Sequence, residues 1–239
     1  MRFSRSGSGV QAAIFAAAAV PMVGIASDAL AHGMAGKDAA FVASSMGPQI
    51  LPFFYLGAKH MATGYDHLLF VIGTVFFLYQ LRHVAIYVTT FSIGHSITLL
   101  LGVLGSVHVN PYLVDAIIGL SVAYIAFDNL RGFKTLLGFQ PNTKLAILIF
   151  GLVHGFGLAT KVQELSPSRD GLVANMIAFN VGVEVGQLLV LTAALALIVW
   201  WRKSSGFAKQ AVLANALFMT AGFALMEYQL AGYFTTGGG

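Results

Sequence analysis

The chain has no cysteine among its 239 residues. A disulfide framework and thiolate metal sites are therefore both excluded. Charge is scarce as well. Asp, Glu, Lys and Arg make up 9% of the residues, against about 25% in an ordinary soluble domain. There is no basic stripe interleaved with aromatics, which excludes nucleic acid as a partner. There is no Gly-rich phosphate loop of the kind that holds ATP, so the chain is not itself an ATP-driven pump. Apolar residues fill the space instead, at 57% of the chain. This balance belongs to a polytopic membrane protein. In that setting the net charge of +4 reads as a topology signal. The expected fold class is all-α, a bundle of about six transmembrane helices behind a cleavable signal peptide.

The signal peptide is read at residues 1–31. Arg2 and Arg5 form its basic start, Val10 to Ile25 its apolar centre, and Ala29-Leu30-Ala31 its small-residue cleavage site. Cleavage there leaves His32 as the first residue. Residues 32–63 are expected as an outer segment, 64–230 as the six-helix domain, and 231–239 as a flexible tail.

Six apolar stretches are long enough to cross hydrocarbon, which takes ~20 residues of helix. They run Gly64–Leu81, Val84–Leu104, Pro111–Leu130, Leu145–Lys161, Leu172–Trp201 and Phe207–Leu230. Ile50–Gly57 is too short to cross and is expected at the interface or dipping into the bundle. Lys and Arg set the orientation. Arg82, Arg131, Lys134, Lys144, Arg202, Lys203 and Lys209 share one side, and only Lys37, Lys59, Lys161 and Arg169 the other. The richer side is expected to be cytoplasmic, which places the mature N-terminus and the C-terminus outside an inner membrane.

Ionisable residues at membrane depth are costly and face a bundle interior or a water-filled cavity. His95 lies mid-way along the second stretch and His154 along the fourth. Glu184 lies in the outer half of the fifth, with Asn180 one turn above it. Asp115 sits at the outer end of the third. His60, Asp66 and His67 cluster where the first stretch begins. Small residues flank three of these groups, in Gly151-Leu-Val-His-Gly155, Gly182-Val-Glu-Val-Gly186 and Ser92-Ile-Gly-His-Ser96. Such small-xxx-small patterns let helices pack closely, so the helices bearing them are expected to meet. His60 and His67 are seven residues apart. On one unbroken helix they would stand ~10 Å apart along the axis, too far for one metal, unless Gly64 breaks the helix and turns His60 back over Asp66 and His67.

Two readings of these groups stay open. Each can be a structural hydrogen-bonding group, or in the outer cluster a residue that simply meets water. Taken together they can instead hold a divalent cation through nitrogen and oxygen ligands, a set that suits nickel, cobalt, zinc and copper. The candidate metal ligands are His60, Asp66, His67, His95, His154 and Glu184.

At the same residues the sequence resembles the HupE/UreJ family of bacterial membrane proteins. The likeness runs from about His60 to Gly186. It rests on His60 with Asp66-His67-Leu68-Leu69-Phe70, on Phe91-Ser-Ile-Gly-His95-Ser-Ile-Thr-Leu99, and on Gly151-Leu-Val-His154-Gly-Phe-Gly157. With a single His in the fourth stretch, the chain is similar to the second branch of that family. The resemblance implies a nickel or nickel/cobalt permease that supplies metalloenzyme maturation. It also implies that His60, Asp66 and His67 form an outer recognition site and that His154 belongs to an inner one. The leading expectation is thus metal import by a chain that is not an enzyme, with the metal ion as substrate and the lipid bilayer as surroundings. An intramembrane metal-dependent enzyme, or an accessory subunit of a membrane complex, built on His95, His154 and Glu184 is the alternative. Self-association into a homo-oligomer is left open by the sequence.

Overall fold

The computed structural model describes residues 37–77, 80–165 and 167–236, with the backbone alone at Tyr65 and Asp66. The signal peptide expected at 1–31 lies outside the described residues. Within them the chain is all-helical. The helices are α1 (Lys37–Ser44), α2 (Ile50–Thr63), α3 (Tyr65–Val75), α4 (Leu81–Gly105), α5 (Pro111–Asn129), α6 (Gly132–Leu137), α7 (Thr143–Glu164), α8 (Leu172–Trp201) and α9 (Phe207–Thr235).

Five of these, α4, α5, α7, α8 and α9, are long and apolar enough to cross a membrane, and the chain is a multi-pass membrane protein. Local chemistry sets their starts. The Asn110 side chain accepts from the backbone N–H groups of Tyr112 (3.0 Å) and Leu113 (3.4 Å) at the head of α5, and Pro111 supplies a first residue with no N–H to satisfy. Asn142 does the same for Lys144 and Leu145 at the head of α7.

The first expected span is not one helix. The stretch Gly64–Leu81 contains only α3, 11 residues long, which gives way to a turn at Phe76 and Phe77. Ile50–Thr63, whose first part is expected at the interface or dipping into the bundle, is a 14-residue helix packed into the bundle. Gly64, with φ −74° and ψ 104°, interrupts the two. They run alongside α8 in the same direction. Gln49 is bonded to Asn175, Gly182 meets the Phe54 carbonyl and Gly186 meets Ala58, and Phe76 reaches Trp201, ring centroids 5.7 Å apart. The Arg202 guanidinium donates to the Phe76 carbonyl at the far end, and the Asn129 amide donates to the Gly73 carbonyl at 2.8 Å. Arg202 thus satisfies the Phe76 carbonyl just past the end of α3, where helix carbonyls run out of intrahelical partners. The tail expected from residue 231 also starts later, since α9 runs to Thr235.

Three close crossings hold the bundle, each through small residues. In α4 and α7, a Cβ at Gly94 would stand 2.7 Å from the Leu148 carbonyl oxygen, and one at Gly151 would stand 2.4 Å from that of Phe91. In α5 and α9, Gly119 and Gly222 lie against each other's helix backbone, and in α2 and α8, Gly57 and Gly182 do the same. Lipid tails supply no hydrophobic drive between helices, so close backbone contact and dispersion carry the packing. Large apolar side chains such as Ile93, Ile97, Leu101 and Leu104 of α4 and Val173, Ile177 and Val181 of α8 are left exposed at helical spacing, the faces that lipid covers.

Candidate metal site

The break at Gly64 puts His60 on the last turn of α2 and His67 on the first turn of α3. Their rings are in contact, 5.1 Å between centroids and edge to face, as the sequence required of a break at Gly64. His67 in turn meets His154, halfway along α7, with centroids 4.9 Å apart. The three histidines therefore form one run of touching rings across three helices. They line a small cavity with Asp115 and Ile118 of α5 and Gly157, Leu158 and Lys161 of α7. Its free volume, about 10 Å³, matches a single water-sized body.

Hydrogen bonds fix how His154 presents itself. Its Nδ1 lies 2.7 Å from the Phe150 carbonyl oxygen. A carbonyl only accepts, so Nδ1 carries the proton, and in the neutral ring Nε2 bears the lone pair a metal needs. Phe70 and Phe91 pack against the same ring, at 5.6 and 5.0 Å between centroids. His154 and His67 are 2% and 5% exposed. Ile118 and Leu158 make part of the cavity wall apolar, so the few polar groups carry the recognition.

His95 is adjacent but separate. Phe91 stacks on it at 6.1 Å while also touching His154, and so links the two imidazoles. The Asn180 amide donates to the Met176 carbonyl at 3.0 Å, which turns Oδ1 toward His95 Nδ1, 3.2 Å away. His95 Nδ1 therefore donates, and Nε2 is the acceptor. That Nε2 is buried with no hydrogen-bond partner among the described residues, an arrangement that suits a ligand atom better than a structural one.

Glu184 is not among the residues lining the cavity. It is half-buried on α8. Its flanking glycines, Gly182 and Gly186, pack on α2 rather than on the helices of His95 and His154. Asp66 has its backbone in the first turn of α3, and its side chain lies outside the described residues. Among the described residues no three His, Asp or Glu side chains stand in metal-holding geometry.

Two residues the sequence left unassigned join the site. The sequence alone marks Asp115 as a span-end acid and Lys161 as an outer basic residue. They are paired, with Lys161 Nζ at 3.1 and 3.3 Å from the two Asp115 carboxylate oxygens. The spacing that could have found Lys161 is His154, Gly157, Lys161 along one face of α7.

No match was found among curated proteins or among solved structures. A family model described as HupE / UreJ protein matches residues 36–237, and the chain belongs to that family.

Proposed function

We propose that this protein is a permease for a divalent transition-metal ion, nickel or cobalt foremost, and that the ion passes the histidine cavity at the broken helix. The observation that carries the reading is the contact of His60, His67 and His154 around one small cavity. Neutral imidazoles are good ligands for such ions, and zinc and copper suit them as well. Three imidazoles around one cavity can replace water on an ion stepwise and form a site weak enough to release its cargo. Asp66 is assigned to the same site by the family motif it completes. His95, whose Nε2 has no hydrogen-bond partner among the described residues and whose ring stacks on Phe91, is a second station. Glu184 is kept as an accessory ligand along α8.

In this reading α2 and α3 together make the first of six passes. Non-helical backbone inside a bilayer is tolerated where it lines a cavity, and broken helices at mid-membrane are a common way to build ion sites in transporters. The end of the bundle bearing Arg82, Arg131, Lys144 and Arg202 is assigned to the cytoplasm by its basic residues, and the membrane is the inner one. The signal peptide read at residues 1–31 agrees with that orientation. The reading gives the chain no catalytic step and no resident cofactor; the metal is substrate, delivered to a maturation system. The experiment is uptake of nickel(II) into liposomes containing the purified protein. Accumulation above protein-free liposomes is expected, and equal accumulation would overturn the reading.

A further inference from the structure

We infer that the Asp115–Lys161 pair is an entry gate, in which the Lys161 ammonium occupies a carboxylate that an incoming divalent cation must take from it. The inference rests on the metal-path reading of the cavity and goes beyond it in naming what an ion must displace to enter.

The pair lines the same cavity as His60, His67 and His154. Both side chains are largely withdrawn from solvent, at 17% for Lys161 and 15% for Asp115. A carboxylate in such surroundings needs a counter-charge. Here one ammonium lies within 3.3 Å of both of its oxygens, so the lysine stands where a cation would be. A lysine can also leave. Its charge sits on a flexible four-carbon stem, and Lys161 is in the last turn of α7, where the head can move off toward water while the stem stays in place.

The cavity is shaped for the exchange. His154 and Lys161 share a face of α7, about 10 Å apart along the axis, and Gly157 lies between them. A Cβ at Gly157 would stand 2.7 Å from Val114 Cγ1 and 4.0 Å from Asp115 Oδ1. The missing side chain keeps the space between the carboxylate and the histidines open. A hard oxygen ligand at one end and imidazoles at the other suit stepwise replacement of water around a divalent ion. A divalent ion is attracted to Asp115 more strongly than the ammonium is, because Coulomb energy scales with charge.

An ordinary structural ion pair fastening α5 to α7 would behave differently. The test is cobalt(II) binding to the purified full chain, followed by visible absorption and calorimetry, in wild type, Lys161→Met, Asp115→Asn and the double variant. Lys161→Met is expected to tighten binding roughly tenfold and Asp115→Asn to weaken it by a similar factor, as removing a unit charge near a divalent ion does. The gain from Lys161→Met should shrink in the Asp115→Asn background, because the carboxylate that the ammonium holds in the cavity is gone. If Lys161→Met fails to fold, Lys161→Gln, which keeps a polar head, carries the same expectation. Unchanged or weaker binding in the lysine variant, or a gain undiminished without Asp115, overturns the gate. His154→Gln is measured alongside. If it alone abolishes binding, the metal-path reading stands without the gate, and if it binds as wild type does, the path reading itself falls.

Discussion

His67 and His154 meet edge to face with ring centroids 4.9 Å apart, one from the first turn of an 11-residue helix and the other from the middle of a 22-residue one. The contact exists because the chain breaks at Gly64 and because α4 and α7 approach closely enough to press Phe91 against His154. Site and packing are therefore linked, and each can be tested through the other.

The glycine crossing comes first. A Cβ at Gly151 would lie 2.4 Å from the Phe91 carbonyl oxygen, a backbone atom with nowhere to go, whereas one at Gly105 would meet nothing nearer than 3.5 Å. Gly151→Ala should lower stability in detergent by about 1–3 kcal/mol, the usual cost of overpacking. Gly105→Ala should be neutral or slightly stabilising. Thermal unfolding of the two variants beside wild type measures both, and equal behaviour would show that α4 and α7 do not cross so closely.

The entry to α2 depends on one side chain. The buried Asn175 amide accepts from Gln49 N at 2.5 Å and donates to the Gly47 carbonyl at 3.0 Å. Asn175→Ala would leave both backbone groups without it, a loss of about 1–3 kcal/mol. Faster amide exchange confined to residues 47–53 is the expected local sign, since α2 would lose its tether to α8. Exchange unchanged there would mean the tether is not needed.

How much of this was legible in the sequence differs from element to element. The long apolar runs gave away α4, α5, α7, α8 and α9, because hydropathy over ~20 residues is enough for that. The small residues around His95 and His154 pointed to a close crossing, and Gly94, Gly151 and Gly155 make it. The pair α2 and α3 was not legible. Lys59 and His60 dilute the apolar character of Ile50–Thr63, and the end of α3 is capped by Arg202, 126 residues away, which no local window senses. The Gly119–Gly222 contact is likewise a pairing of distant helices. At the site, the Gly64 break was recognised as the condition for joining His60 to His67. The place of Asp115 and Lys161 on the cavity wall depends on which faces of α5 and α7 meet, and spacing along one helix does not contain that.

Acid should oppose metal binding. A protonated imidazole cannot ligate, and metal and protons compete for the same nitrogen. Cobalt(II) affinity of the purified protein should fall as the solution is made more acid and be recovered when the pH is raised. Affinity that rises toward acid would mean that histidine nitrogens are not the ligands.

The central claim is that the three touching histidines carry the ion, and nickel(II) uptake into proteoliposomes tests it most directly when wild type is measured beside His67→Gln and His154→Gln. Each variant should be shown to be folded by its elution and thermal unfolding. Wild type should accumulate nickel well above protein-free liposomes, and each single variant should lose at least about tenfold of that rate, the order of loss that removing one ligand-site group typically brings. Uptake by both folded variants at the wild-type rate would contradict the account.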